Sequence, residues 1–259
     1  MRPINKQYIK EMKNKYGGYH ATWAPGVPLQ VGDIGDFDKD GVFQKLANLK
    51  NRKIDFEVLI DEKSDQFDYT SQNSVSVKTK LAGEIAPNSV LKDIDAGVIV
   101  EFSKGSSVLF KAKDVKYHSI EDVIQLEEDV IELYNKGKWK KEWCVITELA
   151  VAESATIIIA NGSSSKIELK ANANIGASKI DIADASLDFS IQSAKDMNTT
   201  IIAQEGLTPL FKVRKLKFTG ISQPIPTGLR IHNVNATSDV DSNAKEISLD
   251  EYKPEETGG

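Results

Sequence analysis

The side chains best equipped for chemistry are three histidines, His20, His118 and His232, one cysteine, Cys144, and an acidic run, Asp36-Phe37-Asp38-Lys39-Asp40-Gly41. Brought together, a cysteine and a histidine can form a nucleophile and its base, and both types ligate zinc. The histidines lie in separate regions without ligand spacing, so each is expected on the surface or in a loop. Cys144 is embedded in Trp143-Cys144-Val145-Ile146-Thr147-Glu148-Leu149, where a thiol behaves as a small buried hydrophobe. A lone cysteine rules out a disulfide framework and a cysteine-built metal site and points to a reducing compartment. The acidic run opens like a calcium loop, with carboxylates at alternating positions and glycine in the sixth. The twelfth position from Asp36 is Ala47 instead of the bidentate glutamate, so the run is expected to be a polar turn between two strands. No GxSxG, P-loop or GxGxxG occurs, and the chain is expected not to be an enzyme and to need no cofactor or metal.

Around these residues the elements follow from spacing. Ser119 is placed to cap a helix, with Glu121 and Asp122 in its first turn. Ile120, Val123, Ile124, Val130, Ile131 and Tyr134 recur at three- and four-residue steps until Lys136-Gly137-Lys138. Trp143 to Leu149 and Ala155 to Ala160 read as two core strands beneath this central helix. From Lys53 to Lys113 the period is two. Val75, Val77, Thr79 and Leu81 alternate with Ser74, Ser76, Lys78 and Lys80, and Ile99 to Phe102 is expected to pair with Val108 to Phe110 around a turn at 103–106. A second alternating unit contains Ile167 and Leu169, then Ile180, Ile182, Leu187, Phe189 and Ile191, its phase shifted by a bulge near Ala183-Asp184. Thr200 to Ala203 and Phe211 to Phe218 complete the strands.

With 259 residues the chain can bury a large core without staples. Its net charge of −5 is unevenly placed. Residues 1–16 hold Arg2, Lys6, Lys10, Lys13 and Lys15 against Glu11, five minus one, or +4. Residues 238–259 hold seven acids and two lysines, or −5. Ile4, Tyr8, Met12 and Tyr16 stand four apart, so the start reads as a basic amphipathic helix, suited to an anionic membrane or to docking on the protein's own core. Basic residues in the body are balanced by acids and no aromatic-basic platform occurs, which argues against nucleic acid. The N-terminus lacks a secretory run, so the resting protein is expected to be soluble and cytoplasmic. Beyond Gly220 large apolar residues thin out, and Ile247, Leu249 and Tyr252 are the positions by which an acidic tail would pack.

This order, with a basic first helix, a twisted, mostly antiparallel sheet, and a packed central helix leading into Trp143-Cys144-Val145-Ile146-Thr147-Glu148, resembles the N-terminal pore-forming domain of the gasdermin family. The family's strand there reads as a V-V-T-E-like run, and Leu210-Phe211-Lys212-Val213-Arg214-Lys215-Leu216 stands where its closing strand would. The resemblance covers roughly residues 1–220 in layout. It implies an α+β fold with a pore-forming domain at 1–230 and an acidic, autoinhibitory tail at 231–259.

It also implies a mechanism. A protease removes the tail, the monomer moves from the cytoplasm to the inner membrane, and a homo-oligomer permeabilises it and kills the cell, as in antiviral defence. Arg2, Lys6, Lys10, Lys13 and Lys15 would meet anionic lipid. Val75, Val77, Leu81, Ile99, Phe102, Ile167, Leu169, Leu187 and Phe189 would line the lipid side of inserting hairpins, whose limbs at 73–85, 97–112, 165–175 and 179–192 satisfy the roughly 9–11 residues a spanning strand needs. Bacterial members often carry a lipidated cysteine near the N-terminus. Here the only cysteine is Cys144, so attachment would rest on the basic helix and the hairpins. The alternatives are a soluble β-rich binding or scaffold module without membrane activity, and a non-pore effector or immunity partner.

Overall fold

A computed structural model describes residues 4–173, 180–219 and 246–252. In chain order the elements are α1 (Ile4–Lys15), β1 (His20–Ala21), β2 (Asp33–Phe37), β3 (Phe43–Asn48), β4 (Val58–Ile60), β5 (Asp65–Thr70), β6 (Val75–Lys80), β7 (Gly97–Phe102), β8 (Val108–Ile120), α2 (Val123–Asn135), β9 (Cys144–Ala160), β10 (Ser165–Ala171), β11 (Phe189–Lys195), β12 (Met197–Glu205), β13 (Leu210–Thr219) and β14 (Glu246–Tyr252). The fold is α+β, and its strand pairings are antiparallel.

Strand β9 is the spine. It is one strand of 17 residues rather than two, because Ala150 to Ser154, between the two expected strands, continues the ladder, and the buried hydroxyls of Ser154 and Thr156 are satisfied in place. Ser154 Oγ donates to the Ala183 carbonyl and Thr156 Oγ1 to the Ile182 carbonyl, both at 2.6 Å, so the buried hydroxyls carry no desolvation penalty. On one side β9 pairs with β8 and, at its start, with β2; on the other it pairs with β13 and β12. Strands β4 and β5 share the far edge of β8, β3 borders β2, and β14 and β1 share the far edge of β13.

The second sheet has the order β11-β10-β7-β6. This corrects the expected hairpin at 103–106. Strand β7 has β6 and β10 on its two edges, and β8 has β4 with β5 on one and β9 on the other, so neither has an edge left for the other. The turn carries the chain from one sheet to the other. The expected strand limb at 179–192 is also corrected. Ile180 and Ile182 are buried in a non-strand segment whose carbonyls are taken by Ser154 and Thr156, Leu187 closes a short 3₁₀ turn, and pairing begins at Phe189.

Three cores result. One lies beneath α2 and holds Leu126, Val130, Cys144, Val145, Ile146, Phe211 and Leu249. A second holds Tyr8 and Met12 of α1 against Phe110, Ile157 and Ile159. The third joins the sheets through Val98, Val100, Phe102, Ile158, Ile167 and Leu169. Along β9, Ile157 and Ile159 therefore serve α1 while Ile158 serves the smaller sheet, as a period of two requires. Helix α2 starts one turn later than expected. Ser119 pairs with Leu59 and Glu148 as part of β8, and the cap is Asp122, whose carboxylate accepts from Ile124 N–H and Gln125 N–H at 3.0 and 2.9 Å.

Candidate functional site

The residues with chemical potential are placed apart. Cys144 is buried, its thiol pushed up to about 12 mainly by burial, with Sγ 3.4 Å from the Gly35 carbonyl. Of the acidic run, Asp36 and Phe37 end β2, paired with Gln44 and Phe43, and Asp38 to Gly41 turn the chain into β3, where Asp38 Oδ1 accepts from Asp40 N–H and Val42 N–H at 2.8 and 2.9 Å. Among the described residues no three His, Cys, Asp or Glu side chains converge as a metal site. His20 corrects its expected surface placement. It is 6% exposed in β1, between the rings of Phe37, Phe211 and Tyr252, and burial lowers its pKa to about 4. His118 lies on β8, its pKa also lowered by burial, and His232 lies outside the described residues.

The basic helix is docked. Tyr8 and Met12 are fully buried; Met12 stabilises the docked position by about 2 kcal/mol, while the buried Tyr8 hydroxyl, without a hydrogen-bond partner among the described residues, offsets much of what its ring contributes. Glu11 adds polar anchors, accepting from the hydroxyls of Tyr69 (3.1 Å) and Ser71. Lys6 and Lys10 are exposed on the opposite surface, Lys13 is half-buried, Lys15 is exposed at the last residue of the helix, and Lys6 Nζ lies 2.8 Å from Asp40. Arg2 lies outside the described residues.

The two alternating units lie side by side as β6-β7 and β10-β11, joined by the β7-β10 pairing. Phe102, Ile167 and Leu169 face the third core, with Val75, Leu187 and Phe189 packed at its margin; Ile99 is also buried, while Val77 and Leu81 are exposed. Gly97 permits the β7-β10 pairing, since a Cβ there would stand 2.0 Å from the Leu169 carbonyl oxygen.

Two buried charges, which the alternation assigns to a solvated face, pin the connection between β6 and β7. The Lys80 ammonium donates to the backbone carbonyls of Asp95 (2.7 Å), Lys92 (2.8 Å), Asp93 (3.3 Å) and Leu81 (3.5 Å). The Glu168 carboxylate accepts from Ser89 Oγ and from Val90 N–H (2.8 Å) and pairs with Lys166 (2.8 Å). Burial works to raise Glu168, but these partners outweigh it and hold the carboxyl below its ordinary range. The segment so held turns Ile85, Val90 and Ile94 to solvent. Nothing in a period of two distinguishes a wet polar face from one covered by a loop, which is why Lys80 and Glu168 escape the sequence.

The acidic tail supplies β14, which lies on β13 with Leu249 opposite Leu216 and Ser248 opposite Lys217. Leu249 is 1% exposed in the core beneath α2, and Ile247 and Tyr252 pack against that core. Asp250 pairs with Lys217 at 3.0 Å, Arg214 Nη1 donates to the Leu249 carbonyl at 3.0 Å, and Lys215 stands over the Tyr252 ring. Ser248 and Lys217 hold the Asp250 carboxyl below its ordinary range. Residues 220–245, which join β13 to β14, lie outside the described residues.

Among the described residues no helix is long and apolar enough to cross a membrane. No known family model matches the chain, and no curated protein matches it either.

Proposed function

We propose that the chain is a pore-forming protein held at rest by its C-terminal strand. Cleavage between β13 and β14 releases the restraint, and copies then assemble on an anionic membrane and permeabilise it. The observation that carries this reading is the docking of β14. An acidic strand lies on the basic strand Leu210-Phe211-Lys212-Val213-Arg214-Lys215-Leu216-Lys217 through side-chain and backbone bonds, and its connection contains Pro224, Pro226 and Gly228, the composition of a cleavable linker. Removing β14 exposes both a backbone edge and the apolar ground under Leu249.

The paired units β6-β7 and β10-β11 are the spanning elements in this reading. At rest each of their strands has 6 or 7 residues, short of the roughly 9–11 that cross a bilayer. Insertion therefore recruits the connecting segments 81–96 and 172–188, and the contacts of Lys80 and Glu168 must break for the first to lengthen. The exposed lysines of α1 attract the anionic surface. The resting protein is cytoplasmic and monomeric, its partners are a protease, the inner membrane and further copies of itself, and it uses no cofactor.

The second reading, a β-rich binding or scaffold module, is supported by the full burial of Tyr8, Met12 and Leu249, which suits elements that never leave the fold. Expression separates the two. A chain ending at Thr237 arrests bacterial growth while the full chain does not if the tail restrains a pore. Equal growth of both favours the binding module.

A further inference from the structure

The strand released by cleavage has a near copy elsewhere in the chain. Glu57-Val58-Leu59-Ile60-Asp61-Glu62 runs through β4, and Glu246-Ile247-Ser248-Leu249-Asp250-Glu251 runs through β14. The glutamates at both ends and the aspartate coincide, Val58 matches Ile247, and Ile60 matches Leu249. These two apolar residues are the ones that share a strand face in β14, where Leu249 fills the core and Ile247 packs beside it.

Strand β4 occupies the opposite edge of the sheet from β14. The order across the sheet runs β14, β13, β9, β8, β4. Within the described residues β4 pairs with β8 alone, leaving its outer backbone edge unpaired. Its side chains are unusually bare for a strand of this composition, with Val58, Leu59 and Ile60 at 42, 53 and 49% exposure. Three consecutive exposed apolar residues on a free edge form a template for another strand. The flanks, Asp55, Glu57, Asp61 and Glu62, repeat the acidic character that lets β14 lie against Arg214, Lys215 and Lys217.

We propose that β4 of one copy takes the place of β14 on β13 of the next. This rests on the tail-release half of the function proposed above and names the surface through which released copies join. In the register of β14, Leu59 would stand opposite Lys217, Ile60 opposite Leu216 and Asp61 opposite Lys215, so Val58 and Ile60 would enter the ground left by Ile247 and Leu249. The donor and acceptor edges are different surfaces on opposite sides of the sheet. The contact is therefore head to tail, the geometry that generates a ring when its rotation closes. At rest the acceptor edge is filled by its own β14, present at a high effective concentration because it is tethered, and this keeps the copies apart.

Site-directed disulfides test this. The full chain, in a Cys144→Ala background because Cys144 belongs to the core that release of β14 opens, carries a protease site inserted after Thr237 and either Leu59→Cys or Lys217→Cys. The two proteins are mixed, cut and oxidised with anionic vesicles present, and the same mixture is oxidised uncut. A linked dimer is expected only from the cut mixture, with none from either protein alone, and the peptide Glu246–Tyr252 in excess should suppress it. Full chains that also carry Leu249→Asp should link without cutting. Asp61→Lys with Glu62→Lys on the Leu59→Cys partner should lower linkage about tenfold, as two opposite-charge cross-strand pairs become like-charge pairs. A control chain with Ser248→Cys and Lys217→Cys must close its internal disulfide before cutting, which reports folding and register. Absence of the mixed dimer from cut protein shown by mass to have lost its peptide overturns the proposal. Dye leakage without the link sinks this interface and leaves the pore; the link without leakage keeps the interface and sinks the pore; loss of both sinks both.

Discussion

His20 and Tyr252, 232 residues apart in the chain, lie ring on ring with centroids 5.9 Å apart and planes 7° from parallel, and His20 Nε2 meets the Tyr252 carbonyl at 2.9 Å. The first strand of the sheet thus holds the last by its backbone, and it does so with an imidazole, a group whose ordinary pKa lies near neutrality and which burial here keeps neutral.

Burial lowers the His20 pKa from 6.5 to about 4, so the folded state resists its protonation. The stability this neutral ring contributes is complete above pH 6.5 and is lost as the pH falls from there toward about 4. Denaturant unfolding should weaken across that window in the wild type and much less in His20→Phe. The carboxyls of Glu168, Asp95 and Asp250, held below their ordinary range, lose their contributions only at lower pH, as they protonate. An unchanged slope between pH 6.5 and 5 in His20→Phe would assign the window to another group.

Leu249 is the apolar anchor of β14. Leu249→Ala should lower the unfolding free energy by about 2–5 kcal/mol, the range for emptying a buried leucine site, measured by urea titration of the full chain. In the proposed function the same variant leaks vesicles at a low rate without cleavage. A loss below about 0.5 kcal/mol, the size of an ordinary surface effect, would mean that β14 is not held by this side chain.

Lys80→Met removes the ammonium from its carbonyl cage while keeping most of the stem. Leaving buried carbonyls unsatisfied should cost about 1–3 kcal/mol and raise hydrogen exchange in residues 81–96 while exchange along β9 is unchanged. Exchange that rises equally everywhere would show that Lys80 supports the fold as a whole and not the connection.

Changing Lys6, Lys10 and Lys13 to Glu should weaken binding to anionic vesicles by roughly 3 kcal/mol or more at low salt, since each basic side chain near the surface contributes about 1 kcal/mol and reversal adds repulsion. At high salt the difference should shrink. Stability should move little, because the buried face of α1 consists of Tyr8 and Met12. Equal binding at low salt would leave α1 a docking element only.

How much of this was legible follows from the range of each signal. The body of α2 and the four-residue steps of α1 are written in local spacing, and the structure has a helix at both places. The turn at Asp38 to Gly41 is local too, an aspartate capping its own loop, although Asp36 and Phe37 before it belong to β2. Strand partners are not local. The apolar run from Ile99 to Phe102 and the alternation of Ile167 and Leu169 mark strands, but that β7 joins β10 instead of β8 depends on which edges are already taken. Ile180 and Ile182 alternate like a strand because buried residues of an irregular segment can share that period by chance. In the tail, the spacing of Ile247 and Leu249 announces a docking face. Its receptor is hidden, because β13 and α2 meet there only after folding.

The central claim, restraint by β14, is tested most directly by dye release from anionic liposomes with one purified full-length chain carrying a protease site after Thr237, measured before and after cutting. The account predicts silence before the cut, release after it, and suppression of that release by the peptide Glu246–Tyr252. Cut protein that has lost its peptide, stays folded and monomeric, and releases no dye would contradict it.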